Sequence, residues 1–426
     1  MEFVALPLLL VLLALGVPVG IAILASSALA LIAIGVVPLE TLIQRLVAGV
    51  DFFPLLAIPF FILMGQLMNA GGITEVLVRF AKALVGHLRG GLAHVNIVTS
   101  IILAGMSGSA VADASASSSI LIPAMERAGY PRKYAAAVTG ASAIIGPIIP
   151  PSIPMVLFAA ITGESVGKLF LGGAIPGLVM GAYLLLVSYL IARARGYRRE
   201  ERASLVELGR SFMLALPALL TPVIVLGGIL GGIVSPTEAA AAASVYAFAV
   251  GTLVYRGLTL RALPRLLLDV ALYSAVVLFI IAAASPYGWV LAWLEVPQQI
   301  VALFLGISES PLVILFIICG CLLVLGMVVE SAAILILVTP TLMPLIAHLG
   351  IDPIHFGVVL VLTLMIGTLT PPVGVVLYAI MNVGRVSMEA LSRELVPYFL
   401  ALVAALVTII LLPDLVLFLP ELVYAR

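Results

Sequence analysis

Residues 105–151 recur at 326–372, 221 positions further on. Aligned without a gap, eleven of the 47 positions are identical. They are Gly105, Met106, Ala112, Leu121, Pro123, Gly129, Val138, Ile145, Gly146, Pro150 and Pro151. Their matches are Gly326, Met327, Ala333, Leu342, Pro344, Gly350, Val359, Ile366, Gly367, Pro371 and Pro372. Six of the eleven are Gly or Pro, residues that set backbone path rather than greasiness, so the halves share their breaks. In a membrane protein, paired Gly/Pro-interrupted apolar segments in two halves point to a transport site near the bilayer midplane.

Composition supplies the membrane. Hydrophobic residues make up 64% and charged residues 9%, with mean hydropathy +1.32. So few charges could not cover a soluble chain of 426 residues. Apolar stretches near the ~20-residue spanning length follow one another, and strict in/out alternation is absent, which argues for an all-α polytopic protein over a β-barrel. The N-terminus is apolar from Phe3 with no basic region before it, so the first segment is expected to stay rather than be cleaved. Cys319 and Cys321 point to different sides of a helix and suggest neither a disulfide nor a metal clasp.

Plain helices are expected at 3–17, 18–36, 51–70, 172–195, 212–233, 236–255, 267–285, 286–305 and 396–419. Two regions are different. Residues 92–126 carry a polar centre, Ser107-Gly-Ser109, followed by Asp113 and four serines, and residues 311–347 a milder one at Gly326 to Ser331. Each arm has roughly 15 apolar residues, too few to cross ~30 Å comfortably. Both therefore read as re-entrant hairpins, whose tips need protein or water around them. Each hairpin is followed by a broken helix. Residues 134–162 contain Gly146-Pro-Ile-Ile-Pro-Pro-Ser152, and residues 356–383 contain Gly367-Thr-Leu-Thr-Pro-Pro372. Consecutive prolines remove amide donors and open the helix, freeing carbonyls at membrane depth. Residues 1–210 and 211–426 thus form two repeats.

Charge says how the repeats are oriented. Loop 71–91 holds Arg79, Lys82 and Arg89, whereas its counterpart, roughly 292–310, holds only Glu295 and Glu309. The loop after the first hairpin holds Arg127, Arg132 and Lys133; its counterpart at 348–355 holds His348, Asp352 and His355. With the Arg-rich stretch 193–210 inside, 17 of the 20 basic residues face the cytoplasm, and only Arg45, Lys168 and Arg426 fall outside. Inverted repeats predict that contrast and parallel repeats do not. Both termini then come out external. Trp289 and Trp293 are expected as anchors near the outer face, and 73–90 as an amphipathic helix on the inner surface.

The runs Gly105-Met-Ser-Gly-Ser-Ala-Val-Ala-Asp-Ala-Ser115, Ile122-Pro-Ala-Met-Glu-Arg-Ala-Gly-Tyr-Pro131 and Gly146-Pro-Ile-Ile-Pro-Pro-Ser-Ile-Pro154 resemble the large membrane subunit of tripartite ATP-independent periplasmic (TRAP) transporters. Gly367-Thr-Leu-Thr-Pro-Pro-Val-Gly374 and Leu15-Gly-Val-Pro-Val-Gly20 fit the same family, and the resemblance covers essentially the whole chain. It implies a bacterial or archaeal inner-membrane protein working with a small four-helix membrane subunit and a soluble periplasmic substrate-binding protein. It implies sodium-driven uptake of an organic acid, such as a C4-dicarboxylate, sialic acid or keto acid. It also implies an elevator, in which hairpins and broken helices slide against a static scaffold.

Paired sodium sites of the family map onto these motifs. A desolvated sodium ion needs several hard oxygen donors. In the first half these are Ser107 and Ser109 with carbonyls near Gly146 and Ile149. In the second half they are the backbone near Gly326 and Val329 with Thr368 and Thr370. A carboxylate substrate can be held by helix N-termini, with Ser109 and Ser152 as candidates, because free amides and positive dipole ends attract anions without a buried Arg. Asp113, Glu238 and Glu330 lie deep, where a charge needs a partner, a cavity or a proton. Asp113 reads either as electrostatic support for the ion site or as a cap for the second arm, and Glu330 as a supporting acid that departs from its counterpart Ser109. Glu238 reads as a first-turn cap after Ser235-Pro236. Ser115, Ser117, Ser118 and Ser119 read as small residues for close packing. The four histidines are scattered, and no nucleophile–base or metal constellation marks an enzyme. No nucleic-acid partner is expected. The alternative to a TRAP subunit is a self-sufficient sodium/carboxylate symporter of similar hairpin architecture.

Overall fold

The computed structural model describes residues 5–35, 38–197, 199 and 201–424, so Arg198 and Arg426 of the charge argument lie outside it. Twenty α-helices and no strand occur among the described residues. They are α1 (Ala5–Ala14), α2 (Val19–Ile34), α3 (Glu40–Val50), α4 (Ala57–Ala70), α5 (Ile73–Val85), α6 (Gly91–Ser107), α7 (Ala110–Arg127), α8 (Arg132–Ala143), α9 (Ile153–Thr162) and α10 (Val166–Ala194). The second half continues with α11 (Leu205–Leu230), α12 (Pro236–Ala249), α13 (Leu263–Trp293), α14 (Val296–Leu305), α15 (Pro311–Gly326), α16 (Ser331–His348), α17 (Pro353–Thr368), α18 (Val375–Gly384), α19 (Met388–Leu411) and α20 (Asp414–Tyr424). Among the described residues, seven helical segments are long and apolar enough to cross a membrane.

Helix pairs form at both expected hairpins, α6–α7 and α15–α16, and the chain breaks where expected, between α8 and α9 and between α17 and α18. The arms are longer than the roughly 15 residues expected, and α16, at 18 residues, is long and apolar enough to cross a membrane. Helix starts come earlier than apolar windows suggest. Ser165, Ser204 and Ser387 cap α10, α11 and α19 from polar turns upstream of the greasy stretch. The expected division at 285/286 is wrong. Pro286 lies inside the single helix α13, about 46 Å long at 1.5 Å per residue. Neighbouring backbone and side chains tolerate an interior proline in a membrane helix. The amphipathic α3, which buries none of its own residues, was not anticipated; it packs on α13, where the Arg45 guanidinium lies 5.5 Å from the centre of the Trp289 ring.

The two halves interlock. The second hairpin arm of each packs on the second segment of the other half's broken helix: α7 against α18, and α16 against α9. Within each half, the first arm packs on the first segment, α6 on α8 and α15 on α17. Helix α19 acts as a ruler through this assembly. Near its start, Glu394 pairs with Lys133 (3.2 Å) and Arg195 (2.6 Å), and the Tyr398 hydroxyl donates to Tyr134 (3.1 Å). Near its end, the His355 ring Nε2 is 3.1 Å from the Ile409 carbonyl. Fifteen residues of helix (409 − 394), about 22 Å, separate the two contacts. The turn preceding α8 and the turn preceding α17 therefore lie at opposite ends of α19.

Candidate functional site: two hairpin tips against two broken helices

The first tip is a two-residue turn. Gly108 adopts φ +60, a conformation glycine takes without steric cost, and a Cβ there would lie 2.6 Å from the Pro151 carbonyl. The tip is thereby pressed onto the break. Ser109 caps α7, its Oγ accepting from Ala112 N–H at 3.4 Å, and its own N–H donates to Ser107 Oγ at 3.3 Å. Ser107 donates a short hydrogen bond to Asp113 Oδ1. Asp113 is 1% exposed, and its Oδ2 has no hydrogen-bond partner among the described residues. That free oxygen faces Gly146: a Cβ on Gly146 would be 2.3 Å from it. Asp113 is thus not the cap of α7; Ser109 is, and the carboxylate points at the break. Across the break, Ser152 donates a short bond to the Pro147 carbonyl and caps α9 by accepting from Met155 N–H at 3.3 Å.

The second tip spans residues 327–330. Glu330 holds the position of Ser109 and does its work, Oε2 accepting from Ala333 N–H at 3.1 Å as cap of α16. Its carboxylate is exposed. Backbone contact replaces side-chain chemistry here: Val373 and Gly374 N–H both donate to the Met327 carbonyl at 3.2 Å. A Cβ on Gly367 would lie 2.8 Å from Gly326 Cα. Thr368 Oγ1 donates to the Met365 carbonyl at 2.7 Å and Thr370 Oγ1 to the Ile366 carbonyl at 2.8 Å, leaving both hydroxyl oxygens lone pairs with which to accept. Both breaks contain a cis peptide, Pro150–Pro151 and Pro371–Pro372.

The first-half candidates Ser107, Ser109, Asp113, Gly146 and Ser152 therefore converge on one tip–break contact, with Ile149 in the same opened turn. In the second half Gly326 meets Gly367 directly, Val329 lies in the tip, Thr368 and Thr370 lie at the break, and Glu330 stands at the exposed edge. The arrangement offers hydroxyls, one unpaired carboxylate oxygen and opened backbone, the donor set of a hard cation without a built metal cage. The carbonyls of Gly146 and Ile149 accept no hydrogen bond from the described residues.

Sequence reasoning missed a buried polar network that fixes the first hairpin to α8. Asn96 Nδ2 donates to Thr139 Oγ1 at 2.7 Å, Ser142 Oγ to Asn96 Oδ1 at 3.1 Å, and Ser100 Oγ to Ser142 at 2.9 Å. Asn96 and Ser100, four apart on one face of a largely apolar arm, were the available signal. Ser115 and Ser119 bond local carbonyls at 2.8 Å, while Ser117 and Ser118 are fully buried without partners, as residues chosen for smallness. Glu238 forms a reciprocal capping box with Ser235.

A sequence model of the family described as "Tripartite ATP-independent periplasmic transporter, DctM component" matches residues 6–415. The chain belongs to this family. It is thus a multi-pass membrane component of a transporter, not an enzyme. Among its relatives is the sialic acid TRAP transporter large permease protein SiaM of Vibrio cholerae, 44% identical over 96% of this chain and 95% of the relative. The 2,3-diketo-L-gulonate TRAP transporter large permease protein YiaN of Escherichia coli is 39% identical over 95% of both chains. In three dimensions the chain resembles the crystal structure of the Alcanivorax borkumensis YdaH transporter, with TM-score 0.64, 14% identity and 88% of each chain covered. That likeness is one of fold alone.

Proposed function

We propose that this DctM-family chain is the large transport subunit of a sodium-driven, binding-protein-dependent uptake system for an organic acid in the bacterial inner membrane. Its working partners are a small four-helix membrane subunit and a soluble periplasmic binding protein. The substrate is a carboxylate of the kind its relatives are named for, sialic acid or a sugar-derived keto acid, or a C4-dicarboxylate. Residues 1–210 and 211–426 act as inverted repeats, with the stretch around 193–210 cytoplasmic and both termini external.

The observation that carries this reading is the separation of the turns before α8 and α17 by about 22 Å along α19. Inverted repeats require equivalent turns at opposite faces, and the basic turn and the acidic turn lie at opposite ends. The charge contrast between them then orients the protein by the positive-inside rule.

One sodium ion is held by Ser107, Ser109 and the carbonyls of Gly146 and Ile149, with Asp113 supplying charge. The partnerless Oδ2 of Asp113 supports this, since a buried carboxylate oxygen without a donor is costly unless a cation or proton meets it. A second ion is held by the backbone of Gly326 and Val329 with Thr368 and Thr370, Glu330 biasing the approach. The substrate carboxylate meets the amides behind Ser109 and Ser152, where helix N-termini face the midplane. Hairpins and broken helices move together as an elevator, driven by the sodium gradient and a membrane potential worth ~2.3 kcal/mol per charge per 100 mV.

The test is uptake into proteoliposomes containing both membrane subunits, with the cognate binding protein outside. Uptake of a carboxylate that needs inward sodium and stops without the binding protein is expected. Uptake without the binding protein would replace this reading with a self-sufficient symporter, and uptake indifferent to sodium would remove the ion sites.

A further inference from the structure

Away from the hairpins, a cavity of about 280 Å³ opens between α5 and the start of α11, lined by Arg79, Ala83, Glu207, Arg210, Ser211 and Leu214. We propose that it binds the phosphodiester headgroup of a membrane phospholipid, with Arg79 and Arg210 as the two anion ligands.

Three features combine. Neither guanidinium has a hydrogen bond or ion pair among the described residues, although Glu207 lines the same cavity. Two cations against one carboxylate leave a single net positive charge, the complement of one phosphodiester, and planar guanidiniums match phosphate oxygens bidentately. The second feature is depth. Arg210 lies in the second turn of α11, about 8 Å past its start at 1.5 Å per residue, where a spanning helix passes through the headgroup layer. Helix α5 is short and amphipathic and buries Ile73, Leu77 and Ala81 against the protein while exposing Arg79, as a helix lying along that layer does. The third is continuity with an acyl surface. Leu214 is 43% exposed and Met213 63%, and they continue from the cavity along α11 as an open apolar face. A free phosphate would use the arginines and leave that face unused; a phospholipid uses both. The cavity is held open by a fixed frame, since Phe80 and Phe212 pack at 5.8 Å between the two helices. Glu207 is placed to accept from a headgroup alcohol or ammonium once the phosphate is seated.

The experiment is native mass spectrometry of the full chain titrated with phosphatidylglycerol, beside the double variant Arg79→Gln/Arg210→Gln and the single variant Ala83→Trp. The latter fills the cavity but keeps every charge. Expected is a first tight lipid adduct on the wild type, weakened at least tenfold in both variants. Retention of that adduct in both variants overturns the proposal. A parallel titration with inorganic phosphate is expected to show no competition at matched concentration; full competition would make this a free-anion site and overturn the lipid assignment. Unchanged adducts combined with loss of a coexpressed small membrane subunit from the purified double variant would assign the face to that protein instead.

Discussion

Gly146→Ala tests the proposed first ion site with the smallest possible change. The new methyl would stand 2.3 Å from Asp113 Oδ2, where ordinary contact begins at 3.4 Å. The carboxylate must retreat, because Gly146 lies in a buried turn whose N–H is bound to the Ala143 carbonyl at 3.1 Å. Rotating the carboxylate draws Oδ1 away from the Ser107 hydroxyl. A hydrogen bond to a charged group contributes ~1.5–3 kcal/mol, so sodium affinity should fall roughly 10- to 100-fold. Purified protein reports this directly. At sodium a hundred times the wild-type dissociation constant, binding stabilises by about 2.7 kcal/mol; tenfold weaker binding leaves ~1.4 and hundredfold weaker binding ~0.4 kcal/mol. The sodium-dependent rise in Tm should shrink in that proportion. Gly320→Ala is the control: a Cβ on that glycine meets nothing within 4 Å, and the sodium response should stay intact. A folded Gly146→Ala protein with the wild-type sodium shift would refute the coupling of Asp113 to a cation.

Ser107→Ala combined with Thr370→Ala should abolish sodium-dependent uptake while leaving a folded protein by size-exclusion chromatography; persistent sodium dependence in proteoliposomes would remove both hydroxyls from the ion sites. Single cysteines at exposed Ala128 and His348, in a chain with Cys319 and Cys321 replaced by Ala, should label from opposite sides of the membrane with an impermeant maleimide. Gly367→Ala sets a methyl 2.8 Å from Gly326 Cα, and overpacking of that kind costs ~1–3 kcal/mol. Its Tm should drop clearly, and an unchanged Tm would mean that the second hairpin is not seated on α17 as described.

The backbone path of the hairpins and broken helices was legible because prolines and glycines dictate it. Pro150-Pro151 and Pro371-Pro372 cannot continue a helix, and each polar centre interrupts an apolar run, so helical hairpins and breaks followed from residue type, although the arm α16 proves long and apolar enough to cross a membrane. What stayed hidden depends on three-dimensional neighbours. Pro286 resembles the other helix-breaking prolines in sequence, yet α13 runs through it, since membrane helices tolerate an interior proline where surrounding groups can satisfy the freed backbone. Likewise α3 has too many polar residues to register as a span, and its place is set by α13 and the Arg45–Trp289 contact. Asp113 was open between cap and site for the same reason. Only the position of Gly146, thirty-three residues on (146 − 113), shows which way its second oxygen faces.

The two matching segments share a backbone path but differ in their side chains. Ser109 and Glu330 share one task, capping the second arm, with different chemistry. Asp113 corresponds to Ile334, Asn96 to Ile317 and Thr139 to Leu360, so of the network that ties α6 to α8 only one side-chain contact among the described residues has a counterpart between α15 and α17, Thr363 Oγ1 donating to Cys319 Sγ at 3.4 Å. There the gap is closed by backbone approach at Gly326 and Gly367 and by two amides donated to Met327. Both solutions suit a lipid environment. Apolar contact alone gives helices little preference for each other over acyl chains, whereas hydrogen bonds and close small-residue packing do. They differ in what they leave free. The first half spends side chains on holding its hairpin and has a carboxylate oxygen to spare. The second holds its hairpin with backbone and leaves carbonyls and threonine hydroxyls. On the proposed reading, the two cation positions are therefore unequal by construction, one charged and one neutral. Charge-removing changes at Asp113 should then disturb the first position far more than any single substitution at Thr368 or Thr370 disturbs the second.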